Sequence, residues 1–137
     1  MDMNRLPETS APHILIVEDD PDIRLSLLML LEFQGYKCQE AEHGHMALNL
    51  LHEHEFDLII TDYHMPLMNG LALMKEISTD TCDEQAPMIM ISCSLDRSVY
   101  DEAMKAGAYA VLQKPYDRET LLLSVKQALE CNPCPCS

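Results

Sequence analysis

Short apolar runs, each followed by a stretch of helical periodicity, constrain this fold more than any other feature of the chain. Ile14-Leu15-Ile16-Val17, Leu58-Ile59-Ile60 and Met88-Ile89-Met90-Ile91 are too short to be buried helices and lack polar residues at alternate positions. Runs of this kind suit strands covered on both faces, as in parallel sheets flanked by helices. The pattern predicts strands over 13–18, 37–41, 57–62, 87–92 and 109–113, and helices over 21–34, 44–54, 70–79, 96–106 and 117–131. Gln39 and Glu40 mark the second strand as an edge. The expected architecture is α/β: a doubly wound parallel five-stranded sheet in the order 2-1-3-4-5, joined by right-handed crossovers.

Local signals support these boundaries. Asp20-Pro21 supplies a helix cap and a first-turn proline; Ile23, Leu27, Leu30 and Leu31 then keep one face apolar until Gly35. In the last helix Leu121, Val125, Ala128 and Leu129 share a stripe. A length of 137 residues suits a single domain, read here as 13–131. Residues 1–12, with Pro7 and Pro12, read as a flexible leader, and residues 132–137 as a Cys/Pro-rich tail.

Nine basic residues face 23 acidic ones, a formal charge of -14. That balance argues against direct binding of nucleic acid or anionic membrane, both of which need clustered Lys and Arg. No apolar run reaches the roughly 20 residues of a membrane span, and the start lacks a signal-peptide core, so a cytoplasmic setting is expected. The six cysteines form no disulfide framework: Cys38, Cys82 and Cys93 are scattered, while Cys131, Cys134 and Cys136 crowd the end without an evident fourth metal ligand.

The chemistry collects at the strand ends. Strand three ends on Asp62 and strand one runs into Glu18-Asp19-Asp20, so carboxylates meet at one edge of the sheet, at the switch point between strands one and three. Two such charges about 4 Å apart repel by roughly 4 kcal/mol at an effective dielectric near 20, which a divalent cation or a protonated acid relieves. A hard-metal site is the natural reading. Asp20 is assigned to the helix cap because Pro21 follows it.

Together, Val17-Glu18-Asp19-Asp20, Thr61-Asp62-Tyr63-His64-Met65-Pro66 with Asn69-Gly70, Ile91-Ser92 and Lys114-Pro115 resemble the receiver domain of two-component response regulators. The resemblance covers residues 13–131 and implies the CheY-like, flavodoxin-like (βα)5 fold, for which 2-1-3-4-5 is a known strand order. It implies that Asp62 is the phosphoacceptor, attacking a phosphohistidine on a sensor histidine kinase or histidine phosphotransfer protein. It further implies Mg2+ held by Glu18, Asp19, Asp62 and the backbone carbonyl of His64, with Glu18 acting through water. Lys114 would meet the phosphoryl oxygens, and Ser92 would turn toward them after transfer. The Lys114-Pro115 bond is expected cis on this resemblance.

The implied output is a switched protein-contact face on helix four, strand five and helix five, serving a downstream protein or a homodimer. Leu122, at the margin of the last helix's stripe, is its expected contact residue. The chain is expected to assist its own phosphorylation and dephosphorylation and to act on no separate substrate. One departure stands out. Receivers commonly carry an aromatic residue three before the lysine, whereas this chain has Val111; Tyr109 lies two residues earlier, on the same face if strand alternation holds.

Other readings fare worse. A haloacid-dehalogenase phosphatase would place its nucleophile on strand one in an Asp-x-Asp pattern, which Asp20-Pro21-Asp22 matches poorly. A flavodoxin-like FMN binder needs a phosphate loop after strand one, where Glu18-Asp19-Asp20 would repel the phosphate. A pseudo-receiver that binds without phosphorylation, and a receiver cut from a hybrid kinase, remain as alternatives. His43, His45, His52 and His54 read as a solvated cluster around helix two, and the ten methionines as core filler, with Met65 and Met68 near the site.

Overall fold

In the computed structural model, residues 11–80, 86–93 and 97–130 are described. The leader's first ten residues, Cys82 and the tail with Cys131, Cys134 and Cys136 lie outside them. The elements are β1 (His13–Val17), α1 (Pro21–Phe33), β2 (Lys37–Ala41), α2 (Gly44–Glu53), β3 (Leu58–Asp62), α3 (Gly70–Asp80), β4 (Met88–Ser92), α4 (Arg97–Lys105), β5 (Ala110–Gln113) and α5 (Arg118–Glu130). The five strands form one parallel sheet in the order β2-β1-β3-β4-β5.

Strand alternation divides the core in two. Leu15, Val17, Ile59, Met88 and Met90 pack with Ala47 of α2, Leu73, Met74 and Ile77 of α3 and Ala103 of α4. From the opposite face Ile14, Ile16, Leu58, Ile60, Ile89 and Ile91 meet Leu27 and Leu31 of α1 and Leu121, Val125 and Ala128 of α5. Burial on both faces explains why β1, β3 and β4 read as unbroken apolar runs. Each such side chain stabilises the fold at roughly 25 cal/mol per Å2 of apolar surface removed from water. The outer strands β2 and β5 are only partly covered.

Asp20 caps α1 as expected: its Oδ1 accepts from the backbone N–H of Asp22 at 2.9 Å and of Ile23 at 3.4 Å. Gly35, at φ 98°, turns the chain out of α1 into β2, where an L side chain would be strained. The apolar surface of α1 is wider than its periodicity suggested, because Leu25, Met29 and Phe33 form a second, exposed stripe at i, i+4 and i+8.

One sequence expectation needs correction. Tyr109 precedes β5 and packs with the α1/α5 core, whereas Val111 packs with the α2/α3/α4 core. The alternation that would have put them on one face does not extend to residue 109, so Tyr109 is no substitute for an aromatic at 111. On α5, Leu122 is partly buried at the margin of the stripe, as expected, and Leu123 beside it stands exposed. The 100° step per residue carries Leu123 past the margin on which Leu122 packs.

Candidate functional site

Parallel register brings the acids together. Val17 stands opposite Thr61, so the next residues on the two chains, Glu18 and Asp62, emerge side by side at the C-terminal edge. Asp62 pairs with Ile91 and Ser92 with Gln113, which sets Ser92 and then Lys114 along the same edge. The backbone N–H of Lys114 donates to the Ser92 carbonyl at 2.8 Å and that of Tyr63 to the Ile91 carbonyl at 2.8 Å, tying these strand ends to one another. The Lys114-Pro115 bond is cis.

Glu18, Asp62 and Ser92 are buried, while Asp19 is exposed. One carboxylate oxygen from each of Glu18, Asp19 and Asp62 can be chosen so that all lie within 4.8 Å of one another. Lys114 Nζ stands 2.9 Å from Asp62 Oδ1 and 3.7 Å from Glu18 Oε1. The shorter contact pairs the ammonium directly with a buried carboxylate oxygen. The three acids offer the hard oxygen donors that Mg2+ prefers, so the residues present fit that ion.

Electrostatics follow from burial and crowding. Burial lifts Glu18 to about 7, and the Asp62 and Asp19 charges push the same way, against the Asp20 backbone N–H and Lys114, which favour its anion. For Lys114 burial opposes the ammonium, but contact with Asp62 and the nearby Glu18 charge outweigh it, and the net shift is upward. Burial also raises Tyr116, a residue the sequence reading passed over; Lys114 opposes that shift and Glu18 and Asp62 add to it, which puts the phenol in the site's field. Arg24 was overlooked as well. Its Nη1 donates to the Glu18 carbonyl at 2.7 Å and its Nε to Glu40 Oε1 at 3.0 Å, bracing the end of β1 from α1. Only its place one turn into the helix after the acids hinted at this.

The loop from Tyr63 to Asn69 forms the mouth. Asp19, Tyr63, His64, Met65, Pro66 and Asn69 line an open pocket of about 410 Å3. His64, expected to offer its carbonyl to the metal, thus stands in the pocket wall with Asp19, its ring edge-on to Tyr63 at 4.8 Å. Asn69 caps α3, accepting from the Ala72 N–H at 2.8 Å, and the Gly70 N–H closes the loop on the Tyr63 carbonyl at 2.9 Å. A Cβ at Gly70 would come within 2.6 Å of the Asp62 carbonyl oxygen, so only glycine lets the loop return this close to the acid. Away from the mouth, His43 caps α2 through Nδ1 and His54 ends that helix. Among the described residues only the acidic trio groups as a metal site.

Comparison with known proteins decides the family. The sequence profile of the response regulator receiver domain matches residues 14–126. The chain belongs to this family. It is 37% identical over 109 residues to chemotaxis protein CheY-3 of Vibrio cholerae, covering 79% of this chain and 84% of that protein. It is 30% identical over 122 residues to regulatory protein AtoC of Escherichia coli, covering 89% of this chain but 26% of AtoC. A CheY-like receiver domain protein from Methanospirillum hungatei superposes with a TM-score of 0.82 at 29% identity, covering 88% of this chain and 95% of that one. The chain is therefore a two-component receiver domain with the CheY-like fold, a module that works between histidine kinases and downstream effectors. No helix among the described residues is long and apolar enough to cross a membrane.

Proposed function

We propose that this receiver accepts a phosphoryl group on Asp62 from the phosphohistidine of a sensor histidine kinase or histidine phosphotransfer protein, and so switches a protein-contact face. The observation that carries this reading is Lys114 Nζ, 2.9 Å from a buried Asp62 carboxylate that groups with Glu18 and with Asp19, a residue of the pocket wall. In the step itself an Asp62 oxygen forms a bond to phosphorus as the phosphorus–nitrogen bond breaks. The electron pair leaves on the imidazole nitrogen, which is then protonated. Such transfer asks little of the protein beyond positioning and charge compensation. Lys114 would supply a fixed cation, and Ser92, at the end of β4, would donate to the new phosphoryl oxygens. Glu18, Asp19, Asp62 and the His64 carbonyl would hold Mg2+, which when bound supplies positive charge to the phosphoryl oxygens.

Phosphorylation adds about 1.5 to 2 negative charges at the sheet edge. Ser92 and Lys114 sit at the starts of the connections to α4 and α5, so bonds to that group bias the α4-β5-α5 face, which would serve an effector or a second copy. The working unit spans residues 13–131. Its setting is cytoplasmic, and it acts on no substrate apart from its own phosphoryl group. Incubation with acetyl phosphate and Mg2+, read by intact mass, tests the reading: the parent chain gains one phosphoryl group and Asp62→Asn gains none. A parent chain that stays unmodified would favour the pseudo-receiver alternative.

A further inference from the structure

Leu67 is held in a backbone conformation that leucine avoids, and its side chain is 86% exposed. Its φ is 71°, and across it the Met68 N–H donates to the Pro66 carbonyl at 2.7 Å. That is a γ-turn of the rarer, strained hand, with a branched apolar side chain at its centre. Strain of this kind persists only where its surroundings over-determine it. Here both legs of the loop are fastened, by Gly70 N–H to the Tyr63 carbonyl and by the Asn69 cap on α3, while Met68 packs so closely on Gly44 that a Cβ there would meet its Sδ at 2.6 Å. The loop thus turns Met68 inward and holds Leu67 out into water, where burial gives nothing in return.

The position explains the arrangement. Leu67 lies between Pro66 and Asn69, both of which line the pocket before the acid cluster. Any protein that brings a phosphohistidine to Asp62 must cover this mouth. On a chain of charge -14, an apolar anchor gives such a partner a contact independent of charge.

We infer that Leu67 is a specificity-determining contact for the phosphohistidine-bearing donor protein, presented at a cost in backbone strain. This rests on the proposed phosphoacceptor function and adds to it the residue by which the protein donor is held. Leu67 touches no reacting atom, so it should matter to a protein donor and not to a small one.

The test uses the full chain with Leu67→Gly, which removes side chain and strain; Leu67→Ala, which removes the side chain alone; and Leu67→Met, which restores an apolar anchor. Each is phosphorylated by phosphoramidate and by the purified, autophosphorylated histidine kinase cores of the encoding organism, the fastest on the parent chain serving as protein donor. Phosphoramidate rates should be unchanged in all three. Transfer from the kinase should fall roughly tenfold for Gly and Ala and recover in Met. Leu67→Gly should melt no lower than the parent, since release of strain offsets glycine's added chain entropy. Equal kinase rates in all variants would overturn the inference, as would equal losses with both donors, a large loss of stability in Leu67→Gly, or a parent chain that accepts phosphate from phosphoramidate but from no kinase. A parent chain inert to phosphoramidate would instead sink the underlying receiver chemistry.

Discussion

Lys114 Nζ lies 2.9 Å from Asp62 Oδ1 and 3.7 Å from Glu18 Oε1, so one ammonium balances two buried carboxylates from different strands. The pairing joins the loop after β5 to the ends of β1 and β3. Lys114→Met should leave both acids without their cation. It should lower stability in chelator by about 1–3 kcal/mol, discounted from a fully buried pair because the lysine is partly exposed. Added Mg2+ should recover part of that loss. Urea unfolding with and without the ion checks both statements, and phosphorylation should slow in either condition.

Asp19 is in a different position. It is exposed, and its charge adds to the crowding around Glu18. Asp19→Ala should therefore melt no lower than the parent in chelator, while losing the rise in melting temperature that Mg2+ gives the parent. A clear loss of stability in chelator would show the carboxylate to be structural.

Glu18 makes the stability of the metal-free chain depend on pH. The folded state keeps a proton on Glu18 up to about pH 7, whereas the unfolded chain releases it near 4.5. Between those values the folded state binds more protons, so this group's contribution weakens as pH rises, by on the order of 3 kcal/mol across the window. Unfolding free energy in chelator should decline over this range in the parent relative to Glu18→Gln. Parallel profiles would refute the assignment.

Val111 and Leu123 bear on the proposed α4-β5-α5 contact face. Val111 leaves no aromatic ring to rotate at the position where receivers commonly carry one, and Leu123 on α5, with Tyr100 and Met104 one turn apart on α4, offers exposed apolar surface. If activation drives self-association, Leu123→Glu should abolish the shift in sedimentation produced by beryllofluoride and Mg2+, while Leu122→Glu should lower stability because Leu122 packs on the core. Unchanged self-association in Leu123→Glu would remove this residue from the interface.

Much of this was legible in the sequence because the deciding features are local. Ile14 to Val17 and Met88 to Ile91 announce doubly covered strands by being apolar throughout, and Asp20-Pro21 and Asn69-Gly70 announce the helix starts. The trio Glu18, Asp19 and Asp62 could be assembled in advance, since strand order and a shared sheet edge place residues that chain distance separates. What stayed hidden depends on tertiary packing or backbone angle. Arg24 reaches back to the Glu18 carbonyl across a helix turn, Tyr116 enters the site's field after a cis proline, and the left-handed Leu67 leaves no mark in composition. Tyr109 was misplaced because period-two alternation was carried one residue beyond the start of β5.

The central claim is that Asp62 itself becomes the acyl phosphate. Sodium borohydride reduces an aspartyl phosphate to homoserine, so treatment of the phosphorylated chain followed by peptide mass spectrometry reads the acceptor residue directly. The account predicts homoserine at position 62 and unmodified Glu18, Asp19 and Asp20, with the signal dependent on Mg2+. Reduction at any of those three acids in place of Asp62, or a phosphorylated chain yielding no homoserine, would contradict it.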